Sequence, residues 1–282
     1  MDSKEFGLVA AQQLFQIEDI HYGFWENDME VSLSNFKVAQ EKHTNFLFKH
    51  INDFISDKQN DKILDIGCGV GLTTKKLLEN NYRVDGLVPY NWMAQYAERI
   101  TSKYKTEDSG KIFECKFEEY PIHKNLNKYS LLFFSESYQY VNMKQSFEVI
   151  NKIIDKNGHI VIFDFFKKDD VSGSSPLGGG HYLSEFYNLV SKYEYTIIKD
   201  LDITKNLSPN LTLVSDVIKD RIIPFTETFD KFMIGRHRYI YKLIKWLLRK
   251  KINKMKFKYS VDRNEENFVK YKTYRLIVLK KN

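Results

Sequence analysis

Ile63-Leu64-Asp65-Ile66-Gly67-Cys68-Gly69-Val70-Gly71 is the stretch from which the fold can be read. Residues 62–66 form a short, mostly apolar run ending at glycine, the pattern of a strand buried on both faces. A helical pattern begins at Leu72. Between them three glycines stand at alternate positions, where the missing Cβ lets the backbone turn tightly and lie close to a ligand. Amides at the start of the following helix offer donors to a carboxylate or a phosphate. Asp65 adds an acceptor for a cationic amino group, so the loop suits a zwitterionic amino-acid moiety. A dinucleotide loop is spaced Gly-x-Gly-x-x-Gly, and a P-loop needs Gly-Lys-Ser/Thr; neither pattern is present. A tight strand–helix turn without a ligand is the plain alternative.

Outward from the loop, strand and helix patterns alternate. Strands are predicted at 82–88, 111–115, 129–135 and 159–166, with helices at 72–80, 91–104 and 143–155, the last stopped by Asn157-Gly158. Alternation of this kind implies an α/β, Rossmann-like doubly wound parallel sheet covered on both faces. Upstream, 34–56 reads as a helix capped by Ser34, with Phe36, Ala39, Phe46, Leu47, Ile51, Phe54 and Ile55 at roughly helical spacing. It follows a partly irregular leader, 1–30, with an aromatic cluster His21-Tyr22-Gly23-Phe24-Trp25 hinged at Gly23. Downstream come a glycine-rich loop (167–180), a helix (182–192), a strand (193–200) and a final strand (271–280). The long segment between the last two strands reads as an inserted helical cap. The expected organisation is a leader and lid at 1–60, a core at 61–204 with 269–282, and a cap insertion at 205–268.

Composition narrows the classes. Two cysteines, Cys68 and Cys115, are too few for a disulfide framework or a zinc cluster and point to a reducing, cytoplasmic setting; no metal is expected. No stretch reaches the roughly 20 apolar residues that cross a bilayer. The 21 Phe and 18 Tyr fill a core and line pockets for apolar ligands. The net charge of +6 is local: residues 236–258 hold ten Lys or Arg and no acid, and the rest of the chain is net acidic. A nucleic-acid partner is therefore not expected.

Residues 62–166 resemble the core of the class I S-adenosylmethionine-dependent methyltransferases, small-molecule branch. The stretches that carry this are 63–71, Tyr-Ser-Leu-Leu-Phe-Phe-Ser-Glu-Ser (129–137) and Asp-Lys-Asn-Gly-His-Ile-Val-Ile-Phe-Asp (155–164). The leader motif 21–25 is similar to one preceding the core in lipid-modifying and cyclopropane-forming relatives. The resemblance implies a seven-stranded sheet with an antiparallel last strand, and S-adenosyl-L-methionine as cofactor. It implies that Gly67 and Gly69 approach the methionine part, that Asp65 orients its amino group, that Ser135 offers a carbonyl and that Glu118 meets the adenine. Cys68, Gly71, Val88, Asn91 and Tyr22 complete the expected cofactor set. One departure stands out: the acid that usually closes the second strand is Val88 here, with Asp85 three residues earlier, and Asn91 or Tyr90 is expected to substitute.

Methyl transfer is an in-line displacement at a sulfonium carbon, so positioning and exclusion of water do much of the work. Candidates around the reacting atom are Glu136, Tyr138, Gln139 and Tyr140 after the fourth strand, and His21 and Tyr22 from the leader. His181, after Gly178-Gly179-Gly180, is the expected base, since an imidazole titrates near neutrality; Tyr138 and Tyr140 are the other catalytic expectations. Their plain alternatives are a helix-start histidine and ordinary packing. Residues Arg236–Lys258 place Ile240, Leu243, Ile244, Leu247, Leu248 and Met255 mainly on one helical face, with Lys242, Lys245, Arg249 and Lys256 on another. That is either a cap helix over the active site or an interfacial helix drawn to anionic lipid. Three functions follow: methylation of O, N or C on a small, partly apolar acceptor; transfer to a membrane lipid by the same fold; or a non-catalytic cofactor-binding subunit.

Overall fold

The computed structural model describes residues 21–173, 175–258 and 263–282, with Glu5, Phe6, Val9, Gln12 and Gln13; the remainder of the predicted leader lies outside the described residues. Seven strands form one sheet: β1 Lys62–Ile66, β2 Arg83–Val88, β3 Ile112–Glu114, β4 Tyr129–Ser135, β5 Ile154–Lys167, β6 Tyr195–Asp202 and β7 Lys272–Lys281. Their order is β3-β2-β1-β4-β5-β7-β6, and β7 runs antiparallel to both β5 and β6. The expected antiparallel last strand is therefore present. The order also reverses direction of travel beside β1, which puts the ends of β1 and β4 at the crevice where open α/β sheets bind ligands.

Alternate residues of each strand serve opposite faces. On one face Leu64, Ile66, Phe134, Ile160 and Ile162 pack against Phe147 and Ile150 of α4 (Met143–Ile153) and Phe186 of α5 (Leu183–Lys192). On the other, Ile63, Phe133, Val161, Phe163 and Leu276 meet Leu47 and Ile51 of α1 (Leu33–Asn52) and Leu77 of α2 (Leu72–Glu79). Helix α3 (Asn91–Thr101) follows β2 and passes into a 3-10 turn, Ser102–Tyr104, where one continuous helix was predicted.

Two local expectations are corrected. Ser34 lies inside α1; the N-cap is Ser32, whose side chain makes no capping bond. Helix α4 ends at Ile153, ahead of Asn157-Gly158, and β5 begins at Ile154. Asn157 takes φ 67° in the irregular stretch of β5 between the paired residues Ile154 and His159 instead of stopping a helix.

The insertion between β6 and β7 divides into two parts. Helices α6 (Thr204–Leu207), α7 (Pro209–Val217) and α9 (Glu265–Tyr271) pack on the sheet through Leu207, Leu211 and Phe268. A π turn, Ile218–Ile222, leads from α7 into α8 (Ile223–Lys258), which breaks at His237 (φ −140°, ψ 45°). Asp230 accepts from both Tyr241 and Lys245. A straight helix would hold residues 11 apart some 16 Å from each other, so α8 is a hairpin of two limbs. Its apolar side chains Phe225, Phe232, Leu243, Trp246 and Leu247 are exposed. The expectation of a cap helix whose apolar stripe covers the active site is thus not met by α8. The side chains of Ile240, Met255 and Lys256 lie outside the described residues. No described helix is long and apolar enough to cross a membrane.

Candidate active site

The three loop glycines are required for three different reasons. All have positive φ: Gly67 +82°, Gly69 +58° and Gly71 +84°. A Cβ on Gly67 would fall 2.3 Å from the Cβ of Ser137, and one on Gly71 would fall 2.7 Å from the Cβ of Ala97. These two let β4 and α3 approach the loop. A Cβ on Gly69 would meet no atom within 4 Å, so nothing in the packing demands glycine there; its bare face opens outward from the strand ends. The amides of Gly67 and Cys68 both donate to the Leu87 carbonyl, at 2.8 and 3.0 Å. Ser137 Oγ donates to the Ile66 carbonyl at 2.5 Å. Asp65 is buried and accepts from Thr74 Oγ1 at 2.6 Å, which fixes its carboxylate against the first turn of α2. Cys68 turns its thiol inward beside Gly86; burial, with Asp65 adding to it, pushes that thiol well up. Cys68 can serve a ligand only through its backbone.

At the edge of β2, Val88 is buried with Cys68 and Ala94. Asp85 faces away from this edge. It is fully buried, pairs with Lys62 Nζ at 2.8 Å and accepts from the Tyr129 hydroxyl at 3.0 Å. Asn91 stands at the start of α3 and donates to Glu114 Oε2 at 2.8 Å. Glu114, opposite Val88 in the β2–β3 register, is an exposed acid that sequence reading passed over; it lies one strand further along than the family pattern directs attention. Glu118 does not point freely at this edge: its Oε1 accepts from the Asn142 amide at 2.6 Å.

Past Ser135, the chain turns sharply. Glu136 adopts φ +55°, a left-handed conformation unusual for a non-glycine residue and worth reading for function. Its carboxylate accepts from the Tyr22 amide at 3.2 Å and the Tyr274 hydroxyl at 3.1 Å, and lies 3.5 Å from His43 Nε2. His21 stacks on His43 at 4.6 Å. Burial pushes the Glu136 carboxyl upward, but His43 and His21 more than offset it and hold it low. Asp164, fully buried nearby, accepts from Gln139 through both its amide (3.0 Å) and side chain (3.2 Å). Burial raises Asp164 to about 7. Tyr140 is 80% exposed and stands at the rim, within electrostatic reach of Asp164, Glu136 and Tyr90.

Two catalytic expectations are corrected here. Tyr138 is 1% exposed and packs its ring among Phe134, Phe166 and Phe186, so it belongs to the core. His181 turns Nε2 to the Tyr138 carbonyl at 3.1 Å, and burial holds its ring below the usual histidine range. It fastens the start of α5 to the β4–α4 connection and is not poised as a base. His43, Asp164 and Tyr274, the buried groups gathered around Glu136 and Gln139, were not singled out from sequence. His43 lies four residues beyond Ala39 and four before Leu47, on the apolar stripe of α1, which is the signal that could have found it.

The segment 21–25 straps this cluster to the rest of the fold. Gly23 exchanges two bonds of 2.7 Å with the Asn210 side chain, and Phe24 N donates to the Ala39 carbonyl at 2.8 Å. A Cβ on Gly23 would lie 2.6 Å from Ala39 Cβ; the glycine is there for close packing and not as a hinge. Tyr22 is thereby held beside Tyr274, Glu136 and Tyr140, between the glycine loop and the space beyond it.

The family model of the methyltransferase domain matches residues 64–162. No curated protein matches the sequence. Among solved structures, a geranyl diphosphate C-methyltransferase from Streptomyces coelicolor A3(2) is similar, with TM-score 0.68 and 13% identity over 97% of this chain and 92% of that one. A putative sarcosine dimethylglycine methyltransferase from Galdieria sulphuraria aligns with TM-score 0.68 and 14% identity over 97% of each chain. The [4+2]-cyclase SpnF aligns with TM-score 0.69 and 13% identity over 99% and 94%. At such identities the likeness is one of fold. Domain match, strand order and glycine loop together define a class I, S-adenosylmethionine-dependent methyltransferase fold. Residues 64–162 match the methyltransferase domain of that class, and the fold around them is the one its members share.

Proposed function

We propose that this enzyme transfers the methyl group of S-adenosylmethionine to O, N or C of a small, partly apolar acceptor seated between the glycine loop and Tyr22, Tyr274 and Glu136. The residues present fit the cofactor: Gly69 leaves room that a Cβ would fill, and Asn91 with Glu114 offers polar groups at the edge of β2. Bound, the cofactor supplies an electrophilic methyl on a sulfonium. The remaining tasks fall to the chain.

The single observation that carries the reading is the join between loop and carboxylate. Ser137 touches the cofactor loop at Gly67, and Glu136 is its chain neighbour. An ionised carboxylate backed by His43 and His21 is therefore held beside the methyl-donor site. It can accept a hydrogen bond from an acceptor hydroxyl or amine and take the proton that this group, made cationic and strongly acidic as the methyl arrives, releases. Behind Glu136 lie buried rings, Phe163 against His43 at 4.7 Å and Tyr274 against Phe163 at 5.3 Å, an apolar backing for the carboxylate.

Isothermal titration of the full chain with S-adenosylmethionine and S-adenosylhomocysteine tests this. Binding of both, with release of S-adenosylhomocysteine on incubation with small acceptors, is the expected result. Tight product binding without turnover on any acceptor would favour a cofactor-binding subunit; no binding of either nucleotide would overturn the reading.

A second reading has its own observation. The α8 hairpin exposes Phe232, Trp246 and Leu247 beside Lys242, Lys245 and Arg249, the composition of a segment that lies on anionic lipid. It supports action on a membrane-borne acceptor by a peripherally bound cytoplasmic enzyme.

A further inference from the structure

The β5–β7 register sets Lys167 directly opposite Lys272. Like charges facing each other across an antiparallel pair repel, and both residues share a sheet face with Phe165 and Tyr274. Lys272 is fully buried; its Nζ donates to the Gly179 carbonyl at 2.5 Å and lies 5.3 Å from the Phe165 ring centre. The Lys167 ammonium lies over the Tyr182 ring. Among the described residues neither ammonium forms an ion pair. Burial, then Lys167 and Arg263, press Lys272 down to about 8. A buried ammonium surrounded by cations is costly unless something supplies the opposite charge.

The cluster adjoins the acceptor pocket. Arg263 lies within electrostatic reach of both the Tyr22 hydroxyl and Lys272. Gly179, which covers Lys272, approaches Gln139, and Gln139 holds Asp164. The cover is thin: Gly179 and Gly180 have φ +76° and +75°, and a Cβ on Gly178 would meet nothing within 4 Å.

We infer that Lys272, Lys167 and Arg263 form a subsite for an anionic group of the acceptor, a carboxylate or a phosphate, reached by displacing the Gly178–Gly180 cover. The inference rests on the acceptor pocket assigned above. Titration of the full chain with inorganic pyrophosphate and with succinate, at fixed ionic strength, distinguishes the two sources by which binds more tightly. Binding of at least one, weakened about tenfold in Lys167→Met and in Lys272→Met, is expected. S-adenosylhomocysteine affinity should stay within about twofold in both variants. No binding of either anion, or unchanged anion affinity in the half-buried Lys167→Met variant, overturns the subsite even if Lys272→Met fails to fold. Nucleotide binding without anion binding removes the subsite alone; anion binding without nucleotide binding removes the methyl-transfer reading and leaves the subsite.

Discussion

Ser137 donates its hydroxyl to the Ile66 carbonyl across 2.5 Å, and its side chain fills the space a β-carbon on Gly67 would need. The near edge of the glycine loop is thus built against β4, while Gly69 faces away from the packing. The two glycines should separate on mutation. Gly67→Ala adds a clash to a left-handed backbone and should cost about 3 kcal/mol of unfolding free energy in urea. Gly69→Val should cost about 1–2 kcal/mol from backbone strain alone, yet abolish S-adenosylhomocysteine binding in calorimetry. Unchanged affinity in Gly69→Val would remove the loop assignment.

Asp85 and Lys62 form a buried pair bridged to Tyr129 and, through its hydroxyl, to Tyr120. Removing one charge strands the other. Asp85→Asn should lower unfolding free energy by about 3–5 kcal/mol while leaving nucleotide affinity unchanged at temperatures where the variant is folded. A large loss of affinity in folded protein would instead give Asp85 a part in nucleotide binding.

Asp164 links stability to pH. Its folded pKa, about 7, lies above its ordinary value of 3.8. The protonated form is favoured by folding, so its contribution is complete below about pH 4 and is lost as pH rises through 7. The span corresponds to on the order of 4 kcal/mol. Denaturation curves from pH 4 to pH 8 should show the wild type losing stability relative to Asp164→Asn; parallel curves would contradict the assignment.

Glu136 and His181 should part on kinetics. Glu136→Gln should lower kcat/KM by about 10²- to 10⁴-fold, the usual range for a lost acid–base group, with S-adenosylhomocysteine affinity within about threefold. His181→Gln loses or alters a bond to a carbonyl and should cost about 1 kcal/mol of stability, leaving the pH–rate profile in place. A shifted profile in His181→Gln would restore the histidine as base.

The α8 hairpin predicts salt-sensitive binding. The full chain should co-sediment with vesicles containing anionic lipid and not with neutral ones. Charge reversal at Lys242 and Arg249 together should cost about 2 kcal/mol of that affinity or more. Equal sedimentation of wild type and variant would assign the exposed rings to another partner.

The sheet was legible because its strands are short apolar runs punctuated by glycine and asparagine; β1 and β4 begin and end where the apolar pattern does. Helix ends were less so: Asn157-Gly158 reads as a stop signal, but the helix has already ended at Ile153 and the pair falls in an irregularity of β5 between the β4 partners Ile154 and His159. The cofactor loop was readable because glycine at positive φ leaves a local signature. Glu136 was legible as a candidate after the fourth strand; its neighbours His43 and Tyr274, and Asp164 beside Gln139, were not, because they come from three other elements that only the tertiary fold brings near it. Tyr138 and His181 misled for the same reason: both lie in connections between a strand and a helix, and sequence order does not tell which way a side chain there turns.

The Leu87 carbonyl receives the amides of both Gly67 and Cys68, so the neighbouring strand, and not the nucleotide, dictates the shape of the loop. Such a cradle is preformed. The strap that carries Tyr22 is fastened separately, by Asn210 and Glu136, so the loop and the strap have no anchoring bond in common.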